Sequence, residues 1–286
     1  MPGEITRVYL SVHTPRYCNL DAALAGKLAH PDFKIVRDAL VEQGRDVAAA
    51  RPDVIVVNSC HLITTFPTVV DGTPRHRGVL TAQEAPEIIH GVEYDFPGDF
   101  ELASAMIDRG RAAGLQCVLA NDVHYPLDYG TVMPLVCYLD RPQRIPMVPV
   151  SVCLAASLDE CFAWGRHIAA AVRDTGRRAA FVASGSVSHK LERGPEKWPS
   201  APDQELDHRF ARMLAGGDYA ALWDWLPAYR DAASPEMGGR HLAMMLGVLI
   251  ESGVRFDATI HGYGPSSGSG NYVISLAART VASVVV

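Results

Sequence analysis

Short apolar runs alternate along the chain with longer amphipathic stretches, the pattern of buried strands covered by helices. Residues 5–12 read as a strand, with Val8, Leu10 and Val12 in alternation and His13-Thr14-Pro15 closing it. Residues 33–50 carry helical spacing through Ile35, Leu40, Val41 and Val47. Arg51-Pro52 then leads into Val54-Ile55-Val56-Val57, a β-branched run suited to a strand buried on both faces. That strand is predicted to stop at Asn58-Ser59-Cys60, small and polar residues fit for a turn, with His61 next. A strand, a helix and a strand in this order predict a right-handed crossover, so both strands run parallel. His13 and His61 then stand at carboxyl ends that point the same way, where open α/β sheets gather their ligands.

Residues 66–98 hold little helix pattern and several Pro and Gly, which predicts a long functional loop walling a pocket. A helix is expected over 101–113, stopped by Gly114, then a short strand over 117–120. Residues 121–130 read as a loop holding His124 and Tyr129. Further elements are a helix over 131–139, a strand over 148–152 and an amphipathic helix over 158–173. The strand over 179–183 ends in Ser184-Gly185-Ser186-Val187-Ser188-His189, a third strand end that delivers a histidine. A polar loop over 194–202 contains Trp198, and the stretch 190–202 is expected to help wall the pocket. Helices are predicted over 204–216, 219–225 and 241–250, the last strongly apolar and preceded by Ser234-Pro235-Glu236. Strands over 256–260 and 272–276 would close the sheet around a Gly/Ser-rich turn, 264–270. That run lacks the Lys-Ser/Thr and the following helix that phosphate cradling needs, so a nucleotide site is not expected. No internal repeat or linker breaks the pattern. The predicted fold class is α/β: a single domain over residues 1–286, with a central, mostly parallel mixed sheet flanked by helices and the site at strand carboxyl ends.

Composition narrows the partners. A length of 286 residues can bury a sizeable core, and 48% apolar with 20% charged residues is ordinary for a soluble protein. The net charge of −6 argues against nucleic acid. No apolar run reaches the roughly 18 residues of a membrane span. The acidic Met1-Pro2-Gly3-Glu4 start lacks the pattern of a signal peptide, so a cytoplasmic location is expected. Cys18, Cys60, Cys117, Cys137, Cys153 and Cys161 form no CxxC pair and read as reduced, mostly buried thiols. Cys60 is expected to pack rather than to act.

Two histidines and a carboxylate on one face, with open positions beside them, suit an Fe(II) ion that binds a substrate together with dioxygen. His13, His61 and Glu236 could form such a set. Spacing alone does not single them out, because a chain of this length offers many His/His/Glu triples. Glu236 would sit at a helix start, where the macrodipole also favours a carboxylate. Glu251 reads as a solvated helix-end residue. His241 reads as partly buried with its hydrogen bonds met. Arg16, Arg193 and Arg240 lie near these motifs in sequence, which does not put them in the site.

Seven ordered motifs sharpen the picture. They are the strand ending in His13-Thr-Pro; Asp53-Val-Ile-Val-Val-Asn-Ser-Cys-His61; Tyr94-Asp-Phe-Pro-Gly-Asp-Phe-Glu-Leu-Ala103; Asp128-Tyr-Gly-Thr-Val-Met-Pro134; Ala183-Ser-Gly-Ser-Val-Ser-His189; Pro235-Glu236 before Met244-Met245-Leu246-Gly247; and Gly262-Tyr-Gly-Pro-Ser-Ser-Gly-Ser-Gly-Asn271. Together they resemble the class III extradiol ring-cleavage dioxygenases, the superfamily of the protocatechuate 4,5-dioxygenase β subunit. The resemblance runs from about residue 5 to 276. Tyr129 stands where many members carry Asp-His-Gly, which brings the chain nearer the homoprotocatechuate 2,3-dioxygenase and 2-aminophenol 1,6-dioxygenase branches.

The resemblance implies a non-haem Fe(II) held by His13, His61 and Glu236, and an acid/base at His189. It implies a catechol or 2-aminophenol substrate that is opened beside its two heteroatoms with both atoms of O2. His189 would first take a proton from substrate and later return one, work suited to a group that titrates near neutrality. The departure at Tyr129 leaves a further proton donor open between Tyr129 and His124. A homodimer or larger assembly is the family expectation, in some branches with a homologous subunit. Two alternatives stay open: a non-catalytic partner subunit, and another metal-dependent reaction on the same scaffold.

Overall fold

A computed structural model describes residues 2–17, 31–136, 144–194 and 196–279. Cys18, Cys137, the end of the helix predicted over 131–139 and residue 195 of the polar loop lie outside the described residues. The strands are β1 (Glu4–Ser11), β2 (Val54–Thr64), β3 (Thr68–Asp71), β4 (Arg75–Leu80), β5 (Val92–Pro97), β6 (Cys117–Ala120), β7 (Met147–Cys153), β8 (Arg178–Ser184), β9 (Phe256–Ser266) and β10 (Ser269–Ala278). Eight form one mixed sheet in the order β6-β3-β7-β2-β8-β1-β10-β9. Its centre, β7-β2-β8-β1, is parallel, while β10 and β9 add antiparallel at one edge.

Helices cover both faces, so neighbouring residues of a central strand enter different cores. Val54 and Val56 pack with α2 (Phe100–Ala112), α4 (Leu158–Thr175), α5 (Ala201–Gly216), α6 (Tyr219–Ala233) and α7 (Arg240–Ser252). Ile55 and Val57 face the β4–β5 hairpin and α3 (Tyr129–Val136). A third cluster seats α1 (Pro31–Ala50) through Phe33, Val36 and Leu40 against Val12 and Val273. Among the described residues no helix is long and apolar enough to cross a membrane.

Several expectations need correction. The strand carrying His61 does not stop at Asn58; β2 runs on to Thr64. Its pairing with β7 jumps from Ser59↔Ser151 to Ile63↔Val152, so residues 60–62 are extra on β2 and bulge out of the ladder. The 66–98 stretch is not one loop. It contains β3, inside the main sheet, and the separate β4–β5 hairpin. These strands are short or half-exposed, with burial patterns too broken to read as alternation. The helix begun at Tyr219 passes Pro227 and reaches Ala233. Pro227 lies on its exposed face, where water can serve the carbonyl left without an N–H partner. The Gly/Ser run 264–270 is mostly strand. Only Ser267 and Gly268, both with positive φ (50° and 82°), make the turn.

Candidate metal centre

Strand register assembles the site. Ser59 on β2 and Ser11 on β1 both align with Ser184 at the end of β8. Two residues further along these three chains stand His61, His13 and Ser186. His13 Nε2 and His61 Nε2 each lie 3.3 Å from Glu236 Oε1. One donor atom from each of the three residues falls within 4.8 Å of the others. His13 and Glu236 are buried, whereas His61 is 19% exposed and forms the open side of the cluster.

Glu236 arrives differently from the sequence expectation. It does not begin the apolar helix α7. It opens a single 3₁₀ turn, Glu236–Gly239, in which Met237, Gly238 and Gly239 all adopt left-handed backbone before α7 starts. Such a conformation at a non-glycine residue costs about 1–2 kcal/mol. The Arg240 guanidinium holds the turn by donating to the carbonyls of Met237 (2.8 Å), Ala156 (3.0 Å) and Leu154 (2.7 Å). The backbone N–H of Ser186 donates to Glu236 Oε2 at 2.6 Å, leaving Oε1 toward the histidines. Burial alone would push the Glu236 carboxyl up, but His13 and His61 outweigh it and hold it well below the usual range.

Hydrogen bonds decide which nitrogen His13 presents. Ser184 Oγ donates its single proton to the Gly130 carbonyl at 2.7 Å. Toward His13 Nδ1, 2.9 Å away, it can therefore only accept. In the neutral ring, Nδ1 carries the proton and Nε2 keeps a lone pair facing Glu236 and His61. Gly130 is required by this packing, because a Cβ there would overlap Ser59 Oγ and stand 3.3 Å from His13 Nδ1.

His61 is fixed through its backbone and through Tyr129. Its N–H donates to Ser59 Oγ at 3.0 Å, and that hydroxyl donates to Asp128 Oδ1 at 2.6 Å. Asp128 also accepts from Thr131 N and Thr131 Oγ1, which anchors the first turn of α3. Tyr129, the first residue of α3, brings its hydroxyl to 2.6 Å from His61 Nε2. Burial lowers the His61 pKa, but the hydrogen bond and charge of Glu236, with Asp128 and Glu84, raise it overall.

His189 lies past β8 on a segment tied to the Glu236 turn by the bridge between Ser188 and Pro235, and to β10 by the bridge between His189 and Ser269. Burial lowers its pKa; Glu236 opposes the shift while His13 and His61 add to it. Its Nδ1 is buried without a hydrogen-bond partner among the described residues. Beside His61 opens a cleft of about 360 Å³, walled by Leu80 to Glu84 of the hairpin, Tyr94 and residues 125–129. Its size suits a small aromatic ligand. A hollow of about 330 Å³ lies at the opposite ends of the strands. Its arginines, Arg7, Arg173, Arg178 and Arg279, are each paired with an acidic side chain.

Four of the six residues singled out in the sequence therefore share one cluster: His13, His61, Glu236 and Tyr129. His189 adjoins it. His124 does not: it is exposed, its backbone N–H donates to Asp122, and it does not line the cleft. His241 is fully buried rather than partly so. Burial pulls its pKa down to about 4, so the ring is neutral. Glu251 is not simply solvated; it joins Arg166 and Arg173 at 3.0 and 3.1 Å. Cys60 packs at 0% exposure with its thiol pushed up by burial, as expected. Ser184, Asp128 and the Ser186 backbone were missed as supports. All three lie inside the quoted motifs, where small residues beside the histidines signal close approach.

Comparison with known proteins agrees with this geometry. The chain is 26% identical over 204 residues to 3,4-dihydroxyphenylacetate 2,3-dioxygenase of Escherichia coli, covering 69% of this chain and 74% of the relative. It is 27% identical over 241 residues to the 2-aminophenol 1,6-dioxygenase β subunit of a Pseudomonas species, covering 78% and 77%. The α subunit of that enzyme matches at 26% over 250 residues, covering 85% and 89%. The crystal structure of an uncharacterized Escherichia coli K12 protein shares the fold, with a TM-score of 0.61 at 22% identity over 83% of this chain and 91% of that one. The family model for the catalytic LigB subunit of aromatic ring-opening dioxygenase matches residues 8–274, which takes in every residue of the cluster. By that match the chain belongs to the LigB family of aromatic ring-opening dioxygenases.

Proposed function

We propose that the chain is a non-haem Fe(II) extradiol dioxygenase that opens a catechol or 2-aminophenol ring with both atoms of O2. The observation that carries this reading is the convergence of His13, His61 and Glu236 in a chain of this family. The donor set suits Fe(II): two imidazole nitrogens and one carboxylate oxygen on one side, with a cleft that opens at His61 for further ligands. When bound, the iron would hold the ortho heteroatoms of the substrate next to dioxygen and carry electron density between them. The chain's own residues supply the remainder. Glu236 offsets the metal's charge, and the serine-held tautomer of His13 offers Nε2 without first losing a proton. Tyr129 holds its hydroxyl at the mouth of the cluster, able to donate to a developing negative oxygen. His189 takes a proton from the substrate and returns one as the ring opens. Its orphaned, buried Nδ1 fits that role, since such a nitrogen costs about 1–3 kcal/mol until a partner arrives.

The test is anaerobic iron loading, metal analysis and oxygen uptake with a panel of catechols and 2-aminophenols, following product absorbance. His189→Ala is expected to retain iron while kcat falls by about 10²–10⁴. Wild-type turnover in that variant would remove His189 from the mechanism. The likeness to both subunits of 2-aminophenol 1,6-dioxygenase supports a second reading, a non-catalytic partner subunit. It predicts that the chain expressed alone neither retains iron nor consumes oxygen with any member of the panel.

A further inference from the structure

Among the described residues the His189 ring has no hydrogen-bond partner at Nδ1, while its backbone is held by the N–H bond to the Ser234 carbonyl at 3.1 Å, by the bridge to Ser269 and through the neighbouring Ser188. That backbone has one side-chain anchor of unusual completeness. Asp207, on α5, is fully buried and accepts four hydrogen bonds. Ser188 supplies two of them, from its N–H to Oδ1 at 3.1 Å and from its hydroxyl to Oδ2 at 2.6 Å. Tyr229 donates to Oδ1 and Tyr263 to Oδ2, both at 2.6 Å. Four donors fill the acceptor positions of a carboxylate, and they come from α6, β9 and the segment that carries His189. A Cβ added at Gly270 would overlap Asp207 Oδ2 and stand 2.8 Å from Ser188 Oγ, so the main chain closes the cluster from the fourth side. The same segment reaches the metal cluster through Ser186, whose N–H holds Glu236.

A buried carboxylate of this kind is an expensive way to stabilise a fold. Apolar groups of the same shape would serve as well or better. What a fully satisfied polar cluster supplies is a single fixed geometry. We propose that Asp207 is the positioning residue for His189: by gripping Ser188 at both its N–H and its hydroxyl, it sets where the neighbouring imidazole stands relative to the metal cluster. This rests on the acid/base role read above for His189. Displacing a reacting group by about 1 Å can cost up to about 10²-fold in rate, so the anchor acts on turnover rather than on metal or substrate affinity.

The test uses Asp207→Asn and Ser188→Ala, the second leaving Asp207 in place should the first fail to fold. The expected result for Asp207→Asn is a fall in kcat on the order of 10–100-fold, with KM and iron content near wild type. Ser188→Ala moves kcat the same way by less, since its N–H bond remains. The double variant is no slower than Asp207→Asn alone. Tyr229→Phe, which removes a bond to Asp207 but none to Ser188, lowers the melting temperature and keeps kcat within a few-fold. Hydrogen exchange on the iron-free protein gives a readout independent of turnover: peptides covering 185–189 exchange faster in Asp207→Asn, while those covering β1 and β2 do not. Unchanged exchange there, unchanged kcat in a folded Asp207→Asn variant, or a loss of kcat matched by loss of iron would each overturn the proposal. Failure of the wild-type chain to consume oxygen with any substrate overturns the acid/base reading itself, and is seen before any variant is made.

Discussion

Ser184 shows how one hydroxyl prepares a ligand. It has one proton to give and gives it to the Gly130 carbonyl, which forces His13 to donate from Nδ1 and to present Nε2 bare. Ser184→Ala removes both bonds. His13 can then adopt either tautomer or rotate, and its Nδ1 proton is buried without an acceptor. Losing a partner of this kind lowers metal affinity by about 10–100-fold. A competitive titration with a fluorescent chelator measures that loss, and an affinity equal to wild type would show that Ser184 does not orient the ring. In the sequence, Ser184 was visible only as a small residue ahead of Gly185. His13, His61, His189 and Glu236 were legible because a short motif surrounds each. His124, left open in the sequence beside Tyr129 as a proton donor, stands on an exposed loop outside the cleft.

The helices α4 and α7 cross with almost no space between their backbones. A Cβ at Gly165 would overlap the Met244 carbonyl oxygen, and one at Gly247 would overlap the Phe162 carbonyl oxygen. The two glycines therefore face each other's helices, and no rotamer change can relieve an added methyl, because the obstacle is main chain. Gly247→Ala is expected to destabilise by about 1–3 kcal/mol through overpacking, although alanine is the better helix former. Urea unfolding measures it, and a stability equal to or above wild type would mean that the helices can part. The motif Met244-Met245-Leu246-Gly247 carried this information without declaring it: a glycine within an apolar helix marks a close approach but does not name its partner. Elements with a strong period, such as α1, α4 and β8, were legible to within a few residues. β2 beyond Asn58 was not, because a bulge inserts residues that obey no period. β3, β4 and β5 were not, because strands of four to six residues, short like β3 or half-exposed like β4 and β5, leave little pattern. Asp207 had a readable signal: it shares the buried stripe of α5 with Phe210, Ala211 and Leu214, where a carboxylate needs a reason.

At the scale of the molecule, the cluster joins chain segments that begin, continue and nearly end the fold. His13 follows β1, His61 lies in the bulge of β2, and Glu236 precedes α7. No unfolded chain presents this set, so in the metal role proposed above a divalent ion would bind the native state in preference to the unfolded one, and binding would add to stability. At a free metal concentration one hundred times the dissociation constant the gain is about 2.7 kcal/mol. For a chain of this size that raises the melting temperature by roughly 3–8 °C. The ion also competes with protons for two imidazole nitrogens and a carboxylate, so the gain must shrink as pH falls from 8 toward 5. Anaerobic thermal melts with Fe(II) and with excess chelator, repeated across that range, measure both effects. Glu236→Ala leaves the sheet intact but removes the carboxylate that faces both histidines, and its melting temperature is expected to be indifferent to metal. A metal-dependent rise that survives Glu236→Ala, or that does not weaken in acid, would locate the stabilising ion somewhere other than between His13, His61 and Glu236.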